Sequence, residues 1–190
     1  MRIALFPLGT VLFPEGLLPL RIFETRYVDM IRRVMREGTG FGVVLIRAGA
    51  EVGAVDEVAQ VGTLARVVDF GQMPDGLLKI VARGERRFRV VARDRQPDGL
   101  NLADVEWLDD PVEARLEPDE FPELRSALMD ALAQLDEEYP AGEGRPDDAV
   151  WVAGHLGQLL PVPAPVRQHL LEQAGARQRL ALIEQMRASG

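Results

Sequence analysis

The chain has no cysteine, one lysine, two serines and two histidines in 190 residues, and each scarcity closes off a class of chemistry. Without cysteine there is no disulfide, no thiolate nucleophile and no Cys-ligated zinc. The lysine, Lys79, sits in Leu78-Lys79-Ile80 with no glycine-rich loop before it. A Gly-x-x-x-x-Gly-Lys-Ser/Thr phosphate cradle is therefore missing, and strand alternation places Lys79 on a solvated face. Ser126 falls inside a predicted helix and Ser189 in the tail, neither in a Gly-x-Ser-x-Gly elbow. His155 and His169 lie on separate predicted helices without a His-Glu-x-x-His pattern, so both read as ordinary helix-surface residues. No catalytic residue, metal or cofactor is expected. Long apolar runs are lacking too: no window approaches the roughly 18–20 residues that a spanning helix needs. The first residues lack a signal peptide's charged start and apolar stretch. The expectation is a cytoplasmic protein that meets no membrane.

What is present is ordinary for a folded domain: 47% apolar and 27% charged residues, with a formal net charge of −8. That balance disfavours nucleic acid and anionic lipid as partners, because both demand a basic surface. Arg83, Arg86, Arg87, Arg89, Arg93 and Arg95 nevertheless crowd one stretch. Acid clusters at Asp109/Asp110, Asp136/Glu137/Glu138 and Asp147/Asp148 fall in breaks or helix ends, where solvation explains them. Acid–base catalysis needs two carboxyls in unlike environments, and none is suggested. Gly38-x-Gly40-x-Gly42 follows a helix and precedes a strand, the reverse of a dinucleotide fingerprint, so it reads as a helix stop.

The first 110 or so residues alternate short apolar runs with Pro and Gly. Strands are predicted over 3–8, 17–23, 41–47, 58–70, 77–83, 86–93 and 100–108. Prolines 7, 14 and 19 place the first of them at edges or bends. Tyr27, Met30, Ile31, Val34 and Met35 recur at helical spacing and predict a helix over 25–36. Pro74-Asp75-Gly76 and Pro97-Asp98-Gly99 repeat one turn chemistry, proline presetting φ and glycine accepting positive φ. Strands in this number favour a small curled barrel, since closure removes exposed edges. After Asp109-Asp110-Pro111 the texture becomes helical, with a stripe of Phe121, Leu124, Leu128, Ala131 and Leu135 and further helices from 150 onward. The fold class is α+β: a β-rich half over 1–112 and a helical half over 113–190.

Residues 14–27, Pro-Glu-Gly-Leu-Leu-Pro-Leu-Arg-Ile-Phe-Glu-Thr-Arg-Tyr, turn a strand directly into a helix. A buried arginine there would need an anionic partner or carbonyl oxygens. Arg21, Glu24, Arg26 and Tyr27 are therefore expected to form a polar network that pins this corner.

This corner, with Ile3-Ala4-Leu5-Phe6-Pro7-Leu8 before it and Phe41-Gly42-Val43-Val44-Leu45-Ile46 after it, resembles the amino-terminal substrate-binding domain of the Lon protease family. Val61-Gly62-Thr63-Leu64-Ala65-Arg66-Val67, Gly84-Glu85-Arg86-Arg87-Phe88-Arg89-Val90 and Leu159-Leu160-Pro161-Val162-Pro163 extend the likeness over nearly the whole chain. The resemblance implies a PUA-like pseudo-barrel with one inserted helix, followed by a helical bundle. It implies binding of unfolded or flexible polypeptide, self-association, or adaptor work for a Lon-like protease. The family's ATPase and peptidase modules are not matched by residues here, so the expectation is a stand-alone, non-catalytic module. Its expected grip is apolar anchoring in a groove between barrel and helices, helped by edge-strand pairing. Phe13, Leu17, Phe23 and Met73 are the candidate exposed anchors, since Pro- and Gly-flanked loops often carry function, with core packing as the other reading of the same four. The alternative is an RNA or nucleotide-derivative binder, because PUA-like barrels often take RNA and the arginine stretch would serve it.

Overall fold

The computed structural model describes residues 1–49, 55–112, 115–135, 139–140, 142 and 144–188. In chain order these form β1 (Arg2–Leu8), β2 (Leu17–Ile22), α1 (Thr25–Glu37), β3 (Phe41–Gly49), β4 (Val55–Val58), β5 (Val61–Gln72), β6 (Leu78–Arg95) and β7 (Asn101–Trp107). Four helices follow, α2 (Pro122–Gln134), α3 (Ala149–Leu159), α4 (Ala164–Glu172) and α5 (Ala176–Ala188). The acids at 136–138 and Ser189 lie outside the described residues.

Five strands close on themselves: β1 pairs with β7, β7 with β6, β6 with β5, β5 with β3, and β3 returns to β1 in parallel. The unbroken apolar run of β1 explains its place, because it is buried on both faces. Ala4, Phe6 and Leu8 pack with Tyr27, Met30, Ile31 and Val34 of α1, while Ile3 and Leu5 join Val44, Phe88 and Val105. Each buried Val, Leu, Ile, Phe or Met among them stabilises the fold by roughly 1.5–3 kcal/mol through removal from water. α1 stops where Gly38 takes a left-handed φ of 63°.

Two strands differ from expectation. The run 58–70 is split, because hydrogen bonding changes partner between β4 and β5. Ala59 N–H donates to Leu45 O (2.8 Å), and Gln60 O accepts from Val90 N–H (2.8 Å). The runs 77–83 and 86–93 are instead one strand, β6. Gly84 makes no turn there; it makes room. Its carbonyl accepts from Glu15 N–H (2.8 Å) and its own N–H donates to Gly16 O (3.0 Å). A Cβ at Gly84 would overlap the carbonyl of Phe13.

The same segment meets α3 on its other side, where a Cβ at Gly154 would overlap the carbonyl of Pro14 and one at Gly157 would press on the Phe13 ring. Residues 13–16 are thus held between β6 and α3. Phe13 joins a core with Val11, Leu45, Val61, Trp151, Leu170 and Leu180, drawn from strands and helices alike.

A polar clamp lies nearby. Arg87 of β6 is buried and donates to Asp110 through Nε (3.0 Å to each carboxylate oxygen) and Nη2, and to Leu171 O through Nη1 (2.6 Å). Arg179 of α5, also buried, reaches the same carboxylate at 3.4 Å and Gln173 O at 3.3 Å. Asp110 is therefore not a merely solvated acid. Its neighbour Asp109 fits that description, with its Arg86 pair (2.6 Å) largely exposed.

His155 is the other departure, for it is 1% exposed rather than on a helix surface. Leu17 N–H donates to the Tyr139 hydroxyl (3.4 Å), which is also hydrogen-bonded to His155 Nδ1 at 2.9 Å. Burial, and to a smaller degree the Arg145 charge, pushes His155 from its ordinary 6.5 down to about 4.

Two predictions follow from these contacts. Asp110→Asn strands buried guanidinium charge and should lower the urea-unfolding free energy by about 3 kcal/mol, whereas Asp109→Asn should change it by less than about 0.5 kcal/mol. The unfolded chain takes a proton on His155 below about pH 6.5, which the folded chain refuses until about pH 4. Stability should accordingly decline as pH falls through that window, and less so in His155→Gln; equal urea midpoint profiles for the two proteins would contradict this.

Candidate functional site

Beyond the ring, β2 lies against the first half of β6, whose other side carries the second half of β5. Leu20, Ile80 and Phe70 stand abreast across the three strands, as do Ile22, Leu78 and Gln72. The ribbon's outer end is the 73–77 turn, built as its sequence requires. Met73 N–H donates to Leu77 O (2.9 Å), Asp75 Oδ1 accepts from Leu77 N–H (3.0 Å), and Gly76 has φ 85°. Phe23 is 59% exposed and Phe70 63%, the two most exposed phenylalanines among the described residues. Beside Phe23 a cleft of about 210 Å³ is lined by Phe6, Leu8, Leu20, Ile22, Phe23 and Tyr27, with Arg21 and Glu24 completing it.

The corner that shapes this cleft is polar, with one change from expectation. Arg26 pairs with Glu24 (2.8 Å), donates to Gly99 O (2.8 Å) and lies 4.7 Å from the Tyr27 ring centre. Arg26 is buried and Glu24 precedes the first turn of α1, so the charges are compensated where water is scarce. Arg21 is exposed on the opposite ribbon face, next to Lys79 in the register, and stands outside this network.

Of the four candidate anchors, Phe23 is exposed and Met73 half-buried, whereas Phe13 and Leu17 are buried. The expected exposure of Phe13 and Leu17 fails because α3, remote in sequence, closes over their loop. Phe70 was missed, since its place in a predicted strand gave no sign that its face runs past the core.

The expected groove between barrel and helices exists, at about 430 Å³, between Leu45 and Arg47 of β3 and Ala164, Gln168 and Glu172 of α4. It is less suited to apolar anchoring, because Gln168, whose Nε2 donates to Val61 O (3.0 Å) and Glu172 (2.9 Å), forms part of its wall with Arg47. Ser126 is on the exposed side of α2 and Lys79 on β6. No group of three His, Asp or Glu able to hold a metal occurs among the described residues. No helix there is long and apolar enough to cross a membrane.

Comparison with known proteins agrees with this architecture. Residues 2–186 match the family model of the ATP-dependent protease La (LON) substrate-binding domain. The chain is 28% identical over 182 residues to Lon protease 2 of Myxococcus xanthus and 29% identical over 182 residues to Lon protease of Anaeromyxobacter dehalogenans. Each alignment covers 92% of this chain but only 22% and 21% of those relatives, so the chain spans about a fifth of their length. A crystal structure of a Lon N-terminal domain protein from Xanthomonas campestris superposes with a TM-score of 0.75 at 34% identity, covering 96% of both chains. The N-terminal domain of a Mycobacterium avium complex Lon protease, at 16% identity and a TM-score of 0.63, shares the fold. By the extent of the family match, this chain belongs to the Lon substrate-binding domain family.

Proposed function

We propose that the protein is a non-catalytic cytoplasmic module that binds unfolded or flexible polypeptide, with residues 1–112 carrying the grip and 113–190 bracing it. The observation behind this reading is the exposure of Phe23 and Phe70 near the outer end of the ribbon, with Phe23 lining a largely apolar cleft. Exposed aromatics next to a pocket are the usual energetic centres of a binding surface. The family supports substrate recognition, and the names of the relatives suggest presentation of captured chains to a Lon-like protease as an adaptor. An RNA-binding role fits less well, because the formal net charge is −8 and part of the arginine stretch is already paired within the chain. Arg86 pairs with Asp109, Arg87 with Asp110, and Arg95 donates to Gly99 O at 3.4 Å.

Fluorescence anisotropy with a labelled, carboxymethylated and permanently unfolded protein tests the reading. The Phe23→Ser/Phe70→Ser double variant should bind at least about tenfold more weakly. Its urea midpoint should be unchanged, since both side chains are exposed. Undiminished affinity would remove the ribbon as the site.

A further inference from the structure

The C-terminal end of α1 borders a second cavity, which shares no lining residue with the cleft beside Phe23. The thirteen residues of α1 put about 20 Å of helix between the corner at Glu24 and Gly38. There, residues of β1, β5 and β7 face the helix across a groove of about 510 Å³. It is larger than the 430 Å³ groove beside α4. Ile3, Val34, Leu64 and Leu102 give it an apolar floor.

Charge around this floor is unevenly matched. Arg2 pairs with Asp94 (2.8 Å), and Arg66 is held by Glu85 (2.6 Å) and the Gly38 carbonyl (2.6 Å). Arg33 also lines the groove, half-buried, and has no ion-pair or hydrogen-bond partner among the described residues. The helix dipole does not explain it, because Arg36 already supplies a cation in the last turn. The one acid in the lining is Glu37, a turn further along α1. It pairs with Arg36 at 3.7 Å, and arginine ahead of glutamate is the weaker order for a bond across one turn. Thr39 and Gln96 bring a hydroxyl and an amide to the same lining, and neither side chain makes a hydrogen bond among the described residues. A guanidinium partly withdrawn from water is best satisfied by an oxyanion, and its planar fork matches a carboxylate.

We propose that this groove binds a small amphipathic carboxylate, its head on Arg33 and its hydrocarbon part over Ile3, Val34, Leu64 and Leu102. Thr39 and Gln96 supply further donors to the head. The size is suitable, since cavities of about 300–1,000 Å³ hold small ligands. A polyanion suits the site less, because Asp94, Glu85 and Glu37 surround the single uncompensated charge. The site is separate from the ribbon and does not depend on polypeptide binding there.

Octanoate, acetate and octanol test this, followed through the amide chemical shifts of the intact, isotope-labelled protein. Octanoate should shift the amides of Val34, Thr39, Leu64 and Leu102 in a saturable way. Acetate lacks the tail and octanol the charge, so each should bind at least about tenfold more weakly. Arg33→Met keeps the apolar stem and removes the charge; it should weaken octanoate by about tenfold and leave octanol unchanged. Its urea midpoint should match the wild type, since no partner is lost. Glu37→Gln should tighten octanoate by about twofold. The Phe23→Ser/Phe70→Ser double variant should bind octanoate as the wild type does, so a failure at the ribbon leaves this site standing. Octanoate that shifts none of these amides, or that binds wild type and Arg33→Met equally, would overturn the proposal. Octanol or acetate binding as tightly as octanoate would overturn it as well, reducing the groove to a bare apolar or a bare anion contact.

Discussion

Residues 13–16 pass between β6 and α3 with no space for a side chain on either wall, and the position of nearly everything else depends on that passage. Gly84 and Gly154 each face a carbonyl oxygen at a distance that a Cβ would erase. Hydrogen bonds at both ends of Gly84 fix the height of the segment, and Gln158 Oε1 accepts from Phe13 N–H at 3.4 Å on the helical side. Phe13 then becomes the element that strands and helices share. Were the segment displaced, β2 would lose its register on β6, and the cleft beside β2 would lose a wall.

The Asp110 clamp performs the same union with charge instead of packing. Arginines from β6 and α5 converge on one carboxylate, and the guanidinium groups also satisfy carbonyls at the C-terminal end of α4. Such a site contributes little net stability compared with an apolar replacement, but a mispositioned helix would leave charge buried without a partner. Packing supplies the attraction between the two halves; the clamp makes one arrangement of them much better than the others.

Local chemistry in the sequence was legible wherever a neighbour in sequence is also the neighbour in space. The two Pro-Asp-Gly turns, the span of α1 and the strand-to-helix corner at 23–26 all belong to that kind. Misreadings arose where a distant element intervenes. Gly84 carries the mark of a turn, yet it is glycine because the loop at 13–16 needs its surface. Phe13 and Leu17 have the surroundings of surface residues until α3 covers them, and His155 becomes interior when Tyr139 meets it edge-on and Trp151 at a tilt. Arg21 errs in the opposite sense: apolar neighbours along the chain suggest burial, but alternation sends it to the wet face of the ribbon.

β6 runs through Leu78–Arg95 without a break and belongs to both the ribbon and the closed ring. A pull applied at the 73–77 tip therefore travels along covalent bonds straight into the ring, where β5 and β7 flank the strand. To pull out, β6 and the β5 strand joined to it at the tip must slide lengthwise past β7 and β3, breaking many hydrogen bonds together instead of one after another. The tip is mounted like the tang of a blade in its handle, and mechanical load on it is resisted in shear.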